Sequence, residues 1–467
     1  MSGLVRALRR LMPGLLLVTL AGCMPPRQPL PPEAAFTPPA DWREPGSNMA
    51  DVSANWWQAF GDPQLTALVE AALAHNTEVL SAASRVEQAR EQIQLSRAAL
   101  LPSLDAALGA QRTRELSVLG MTHTTAVQPA LQVSYEVDLW GRLRRLKEAA
   151  QLEYRATEAE RDAVRLAVAS TTARAYVSLL SLDRQLYVTR ETIDSRREAL
   201  RVAEDRAALG YTSQLELTQA QSEYEAAAEL LPQLQQAIRE QENALRLLTG
   251  RFPGDVERGA GLLAIEPPPV PGVLASELLR RRPDIQQAEL LLAASSLNLQ
   301  AQRDRFLPQV QLSASLGRLF VNSLDYDPVR VWDLGASVLA PIFDAGRLEA
   351  GVNIAVAQRN QAAFAYRAAA LDAFREVENS LSAVSNLHQQ LARVAARRAV
   401  LERSLTYAED RYRAGYSSYL ETLDAQRNLF NTELAAVQLR ESRLNALISL
   451  YQVLGGGWQR TVPAHPG

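Results

Sequence analysis

A chain of 467 residues with 47% hydrophobic and 22% charged side chains has the material for a large core, which excludes a disordered or collagen-like polymer. Its 49 Lys and Arg against 52 Asp and Glu leave a net charge of -3, so no basic field of the sort that holds nucleic acid is expected. One cysteine and four scattered histidines (His75, His123, His388, His465) give no disulfide framework and no metal-ligand spacing, so neither a metal nor a bound cofactor is expected.

Arg6, Arg9 and Arg10 precede a short apolar run from Leu11 to Leu20, the layout of an export signal and too short to span a bilayer. The run ends in Leu20-Ala21-Gly22-Cys23. This resembles a bacterial lipobox, in which small residues admit a signal peptidase and the thiol takes a diacylglyceryl group. Residues 1–22 are then a removed signal, and Cys23 carries a covalent lipid. Residue 24 is Met rather than the Asp associated with inner-membrane retention, which implies the outer membrane. The proline-rich residues 23–50 read as an extended tether. No other stretch approaches about 18 uninterrupted apolar residues, so any membrane crossing must be a β-barrel.

Beyond the tether the chain repeats itself with an offset near 205 residues. Leu100-Leu101-Pro102 returns as Phe306-Leu307-Pro308, and Leu209-Gly210-Tyr211 returns as Ala414-Gly415-Tyr416. The first repeat is placed at 51–250, a linker at 251–283, the second repeat at 284–458 and a tail at 459–467. Each repeat reads as helix, two strands, a very long helix, a tight turn and another helix.

In the first repeat a helix is expected at about 63–101 and strands at about 103–114 and 127–140. In the clearest strand, Leu131, Val133, Tyr135, Val137 and Leu139 alternate with polar residues. From Arg142 to Leu209 there is neither glycine nor proline, so one helix is predicted over about 142–209, on the order of 100 Å long. Its seam, Ala149, Leu152, Ala156, Ala159, Ala163, Leu166, Ser170, Ala173, Val177 and Leu180, steps alternately by three and four, which is coiled-coil spacing. The periodicity alone is equally consistent with a simple two-helix coiled coil. Gly210 suits a left-handed helix end, and Ser213 with Glu216 forms a capping-box pattern that opens a helix over about 213–249, in which Pro232 should introduce a kink.

The second repeat predicts helices at about 284–307, 347–414 and 418–454 and strands at about 309–320 and 331–343. Gly415, Ser418 and Glu421 repeat the tip pattern. Four strands with one apolar and one polar face fit lipid on one side and water on the other, although two isolated hairpins of a soluble domain would show the same alternation. Four strands cannot close a membrane barrel, which needs about eight, so oligomerisation is required, and a homotrimer would give a usable lumen.

Several stretches together resemble the outer membrane efflux proteins, in the lipoprotein branch of the TolC-like channels. They are Trp56-Trp57-Gln58-Ala59-Phe60-Gly61-Asp62-Pro63, Tyr135-Glu136-Val137-Asp138-Leu139-Trp140-Gly141-Arg142, Arg282-Pro283-Asp284-Ile285, Pro341-Ile342-Phe343-Asp344-Ala345-Gly346-Arg347 and Arg411-Tyr412-Arg413-Ala414-Gly415. The resemblance implies a mainly α fold with a membrane β-barrel: a homotrimer of tandem-duplicated chains, with a twelve-stranded outer-membrane barrel on a long periplasmic helical tunnel. It also implies a periplasmic adaptor and an inner-membrane transporter of the resistance-nodulation-division type as partners, outer-membrane lipid around the barrel, and no enzymatic activity.

The resemblance further implies a periplasmic gate at Leu420, Asp424 and Arg427, which lie i, i+4, i+7 on one helix face. Three symmetry-related Asp424 carboxylates would close the mouth, with Arg427 forming the ties. Glu421 reads equally as a second acidic ring or as a helix cap. The first repeat has Gln219 where the second has Asp424, so the gate should rest on the second tip. Two other functions remain at this stage, a channel for ATP-driven protein secretion and a pore-less periplasmic coiled-coil lipoprotein. An enzyme ranks last, for want of a nucleophile motif, phosphate loop or metal cluster.

Overall fold

The structure, a computed structural model, describes residues 28–43, 53–117, 120–271, 275–322 and 328–456. Cys23 and the export signal lie outside the described residues. The chain divides into two compact units, each built from both repeats. One comprises Met1–Phe36, Arg85–Glu158 and Gln287–Ala368, and the other Thr37–Ser84, Ala159–Gln286 and Ala369–Gly467.

The described elements, in chain order, are α1 (Pro63–His75), α2 (Thr77–Ala98), β1 (Ser103–Ser117), β2 (Gly120–Val137), α3 (Arg142–Ala208), α4 (Gln214–Leu248), α5 (Ala275–Arg281), α6 (Pro283–Arg303), β3 (Gln309–Val321), β4 (Val329–Leu339), α7 (Arg347–Arg413) and α8 (Tyr419–Val453). The duplication is visible residue by residue. Helices α3 and α7 have 67 residues each and begin at Arg142 and Arg347, and α4 and α8 have 35 each, beginning at Gln214 and Tyr419.

The expected single helix over 63–101 is two helices. Asn76 ends α1 through its backbone N–H on the Ala72 carbonyl (2.9 Å) and opens α2 by accepting from Glu78 N–H (2.9 Å) through Oδ1. Its Nδ2 donates to the Leu248 carbonyl (3.0 Å), which fixes the break against the end of α4. The strands also differ at their ends. β2 stops at Val137 because Asp138 turns to the start of α3, accepting from the Leu143 and Arg144 N–H groups at 3.0 Å each. β4 stops at Leu339, short of Pro341, which has no N–H to pair, and Asp344 accepts from Gly346 and Leu348 ahead of α7. Helix α4 runs through Pro232 without interruption.

In the unit that holds the strands, β1-β2-β3-β4 form one antiparallel sheet in chain order. Its register brings most of the large apolar residues onto one face: Leu104 opposite Val133, Leu131 opposite Leu316, and Leu316 opposite Trp332; Leu319, Val321, Val329 and Val331, near the β3–β4 hairpin, register on the other. Asp105, Gln132, Ser315 and Asp333 occupy the other face. Among the described residues many of these apolar side chains stay exposed. Leu334 is 79% and Trp332 74% exposed, and Leu104, Leu108, Leu131 and Leu316 are exposed too.

The seam predicted on α3 is real. Ala149, Ala156, Ala159, Ser170, Ala173, Val177 and Leu180 are buried, and Leu152, Ala163 and Leu166 are half-buried. Residues flanking the seam, such as Ala169, Thr172, Tyr176 and Leu179, are buried as well, so the helix is enclosed over a wider arc than a two-helix seam requires.

The tether has a firmer place than a free spacer. Arg359 donates to the carbonyls of Gln28 and Pro29 (2.8 Å each), Arg367 donates to the carbonyl of Glu33, and the Phe36 and Tyr366 rings pack at 5.7 Å. Farther along, the Trp42 ring packs on Phe374 at 5.8 Å. The proline-rich segment, with one 3-10 turn at Pro32–Ala34, leaves carbonyls without partners of their own, and arginines on α7 take them up.

The linker after α4 is tied as well. Arg258 bridges Asp183 (2.9 Å) and Glu242 (2.5 Å), and Gly259 N–H donates to the Tyr176 hydroxyl (2.8 Å). That hydroxyl donates to Asp62 (3.1 Å), which itself caps α1 by accepting from Gln64 and Leu65 N–H. Burial pushes the Tyr176 hydroxyl far above its ordinary value, so it stays a neutral donor. Asp62→Ala is expected to cost about 1–3 kcal/mol, since it removes a cap and strands a buried hydroxyl. A lowered thermal midpoint by far-ultraviolet circular dichroism checks this, and an unchanged midpoint would make the cap redundant.

Candidate functional site

The helical tips carry the candidate site. At the first, Gly210 adopts φ +75°, and the Tyr211 N–H reaches back to the Arg206 carbonyl at 2.8 Å. At the second, Gly415 adopts φ +77°, and Tyr416 N–H reaches Arg411 at the same distance. A left-handed residue followed by this long backward bond is the Schellman ending, which favours glycine because a Cβ is strained there.

The caps are less alike. Ser213 Oγ accepts from Glu216 N–H (3.3 Å), and the Glu216 carboxylate accepts from the Thr212 hydroxyl. At the second tip the expected capping box does not form: the Ser418 side chain makes no cap bond, and only its carbonyl meets Glu421 N–H (3.3 Å). The Glu421 carboxylate instead lies 3.7 Å from Arg411 across the turn. The guanidinium at the end of α7 offers a full charge where the cap would offer only a backbone dipole. An exposed pair of this kind contributes little stability.

Beneath the tips, Ala203, Ala220, Tyr419 and Leu423 form a small buried cluster, joined by Leu200, Leu217 and Tyr412. The Tyr412 and Tyr419 rings lie 5.3 Å apart, and Arg206 sits over Tyr412 at 5.0 Å. Burial pushes the Tyr419 hydroxyl up to about 12. The cluster therefore draws on α3, α4, α7 and α8 together.

Of the predicted gate residues, Leu420 and Asp424 project outward from α8, and Leu420 is 53% exposed. Asp424 accepts from Asn428 Nδ2 (3.1 Å) on the next turn. Arg427 is half-exposed and reaches sideways, its Nε donating to Glu223 Oε1 at 2.7 Å.

Glu223 was not among the predicted residues, and it organises the site. It lies on α4 with its side chain only 9% exposed, and it also pairs with the buried Arg196 of α3 (3.2 Å), whose guanidinium donates to the Glu223 carbonyl at 2.6 Å. Burial draws the Arg196 guanidinium below its ordinary value, against the pull of Glu223, whereas the hydrogen bond it donates to Glu223 holds Arg427 above its own. One carboxylate thus ties α3, α4 and α8. The available signal was an acid on the small-residue stripe Ala220, Glu223, Ala227, where the spacing calls for an apolar side chain.

Glu223→Ala leaves Arg196 buried without its anion and is expected to cost about 3–5 kcal/mol. Arg427→Ala removes a half-exposed partner and should cost about 1 kcal/mol or less. Thermal unfolding of the two variants checks the ranking; equal losses would mean that Glu223 is not the centre of the network.

The profile of the family described as outer membrane efflux protein matches the chain twice, at residues 68–251 and 274–456. The pyoverdine export outer membrane protein OpmQ of Pseudomonas aeruginosa is 35% identical over 449 residues, covering 92% of this chain and 94% of its own. The probable outer membrane lipoprotein SilC of Salmonella typhimurium is 32% identical over 448 residues, covering 94% and 96%. Among solved structures, the outer-membrane channel OprN superposes with a TM-score of 0.85 at 26% identity, covering 93% of this chain and 99% of that one.

Proposed function

The chain belongs to the outer membrane efflux protein family, and on that premise we propose that it is the exit duct of a tripartite pump. In this reading three copies of the four-stranded sheet close one barrel in the outer membrane. The helices continue it as a periplasmic tunnel, which meets a periplasmic adaptor and an inner-membrane transporter.

The observation that carries the reading is the exposed apolar sheet face. From Val127 to Val137 that face runs about 33 Å along β2, which tilted by about 40° is roughly 25 Å along the membrane normal, the height of a barrel's apolar band. The polar face then lines a wet lumen. Crossing the membrane falls to the sheet, since none of the described helices is long and apolar enough to do so. The relative named for pyoverdine export favours efflux of a small compound over protein secretion. The relative named as a lipoprotein supports a lipid on Cys23.

The periplasmic mouth is closed, in this reading, by the second tips of three chains. Leu420 supplies an apolar ring and Asp424 an acidic one. Three carboxylates brought close to an axis repel each other and attract cations. The tie from Arg427 to Glu223 restrains α8 against α4, so the mouth opens when α8 is released. Glu421, drawn toward Arg411, contributes less charge to the axis than Asp424. Transport through the duct is passive, driven by the partner in the inner membrane.

Single-channel recording in planar bilayers tests this. Asp424→Ala is expected to raise the conductance of the partner-free channel several-fold; an unchanged closed-state conductance would count against Asp424 as a gate. A purified, folded trimer that conducts in neither form would remove the channel reading itself. Labelled palmitate should enter the wild-type chain and not Cys23→Ser, and failure to label the wild type would remove the lipid anchor.

A further inference from the structure

We propose that the hairpin end of the outward sheet face binds the phosphate groups of an anionic glycolipid in the leaflet it meets. The proposal rests on the barrel reading above.

On the apolar face, arginine interrupts the greasy runs of three strands toward the hairpin end of the sheet, at staggered levels: Arg318 and Arg330 one step short of the Phe320–Val127 pair, Arg112 and Arg114 one and two steps beyond it. On β1 the run Leu104 to Ala110 gives way to Arg112 and Arg114. On β3 it gives way after Leu316 to Arg318, and on β4, read toward its start, Trp332 is followed by Arg330. β2 reaches His123, which sits opposite Arg114. All four arginines are exposed. The described acids near this end, Glu115 and Asp333, register on the opposite face, opposite Thr122 and Ser315. At the helix end of the same face the corresponding positions are Leu104, Val137, Val310 and Val338, so the charge is one-sided.

Arg318 stands directly opposite Arg330 in an antiparallel pair. Like charges in that relation destabilise a sheet unless an anion lies between them. Two adjacent guanidinium forks match the oxygens of a phosphate, and arginine holds such a group bidentately. The stems can lie on the apolar surface offered by Phe320, Leu116 and Met121 while the charged heads reach the headgroup level. A lipid phosphate, rather than a free one, suits a basic cluster continuous with an apolar band, because the same ligand's acyl chains cover the band below.

The test uses the full-length protein in neutral detergent and native mass spectrometry of bound lipid. Wild type, R318Q/R330Q, R112Q/R114Q and R318K/R330K are titrated with a bis-phosphorylated glycolipid and with its dephosphorylated counterpart. The wild type is expected to prefer the phosphorylated form by about tenfold, the two glutamine variants to lose most of that preference, and the lysine variant to keep part of it. Equal binding of the two lipids by the wild type, or a preference untouched in both glutamine variants, overturns the proposal. Displacement of the lipid by an equal concentration of inorganic phosphate overturns the lipid as the source. The barrel reading fails separately: a wild type that does not insert into vesicles as a trimer sinks that reading, whereas an inserted trimer without phosphate preference sinks only this one.

Discussion

An antiparallel sheet of four strands has two open edges, here β1 and β4, and among the described residues this one also presents an exposed apolar face. Water tolerates neither feature. The apolar area would be buried at a gain of about 25 cal/mol per Å² by lipid or by protein, and the edge N–H and C=O groups need partners in a medium that offers none. Closure with further copies satisfies both requirements at once. The polar inner face, the basic hairpin end and the helices that continue each strand acquire their meaning from that closure.

Duplication supplies two nearly equivalent helical tips, and a few substitutions make them different. Gln219 stands in the first repeat where Asp424 stands in the second, and Glu223 where Asn428 stands. The acid in the first copy is buried between Arg196 and Arg427, while the acid in the second faces outward. A buried carboxylate with two guanidiniums is a costly arrangement that holds only when every partner is in place. The two arginines are not equivalent partners: Arg196 is buried with the carboxylate, whereas Arg427 is half-exposed and adds the weaker contact. The exposed acid bonds only within its own helix, to Asn428 on the next turn, and has no comparable role in holding the helices together.

The rest of the chain braces these parts. Arg282 pairs with Asp284 (2.7 Å) and Glu376 (2.8 Å) and donates to the Val453 carbonyl (3.1 Å), binding the start of α6 to α7 and to the end of α8. Burial opposes its charge, but the two carboxylates outweigh that and hold the guanidinium above its ordinary value. The strap pinned by Arg359 and Arg367 does similar work along α7. Arginine recurs because it serves several carbonyls or carboxylates from one planar group.

Local chemistry was legible in the amino-acid sequence alone. Long runs without glycine or proline marked α3 and most of α7, Gly210 and Gly415 marked the tips, alternation marked all four strands, and the offset of 205 showed the duplication. Apart from the offset, each depends on residues close together along the chain. Tertiary structure decided what depends on distant partners. Asn76 broke a helix because Leu248 offered a carbonyl, the Glu421 carboxylate turned to Arg411 across the tip, and the proline-rich strap found arginines some 330 positions on. Glu223 became the centre of the tip because two arginines from other helices converge on it, a fact that no local pattern encodes.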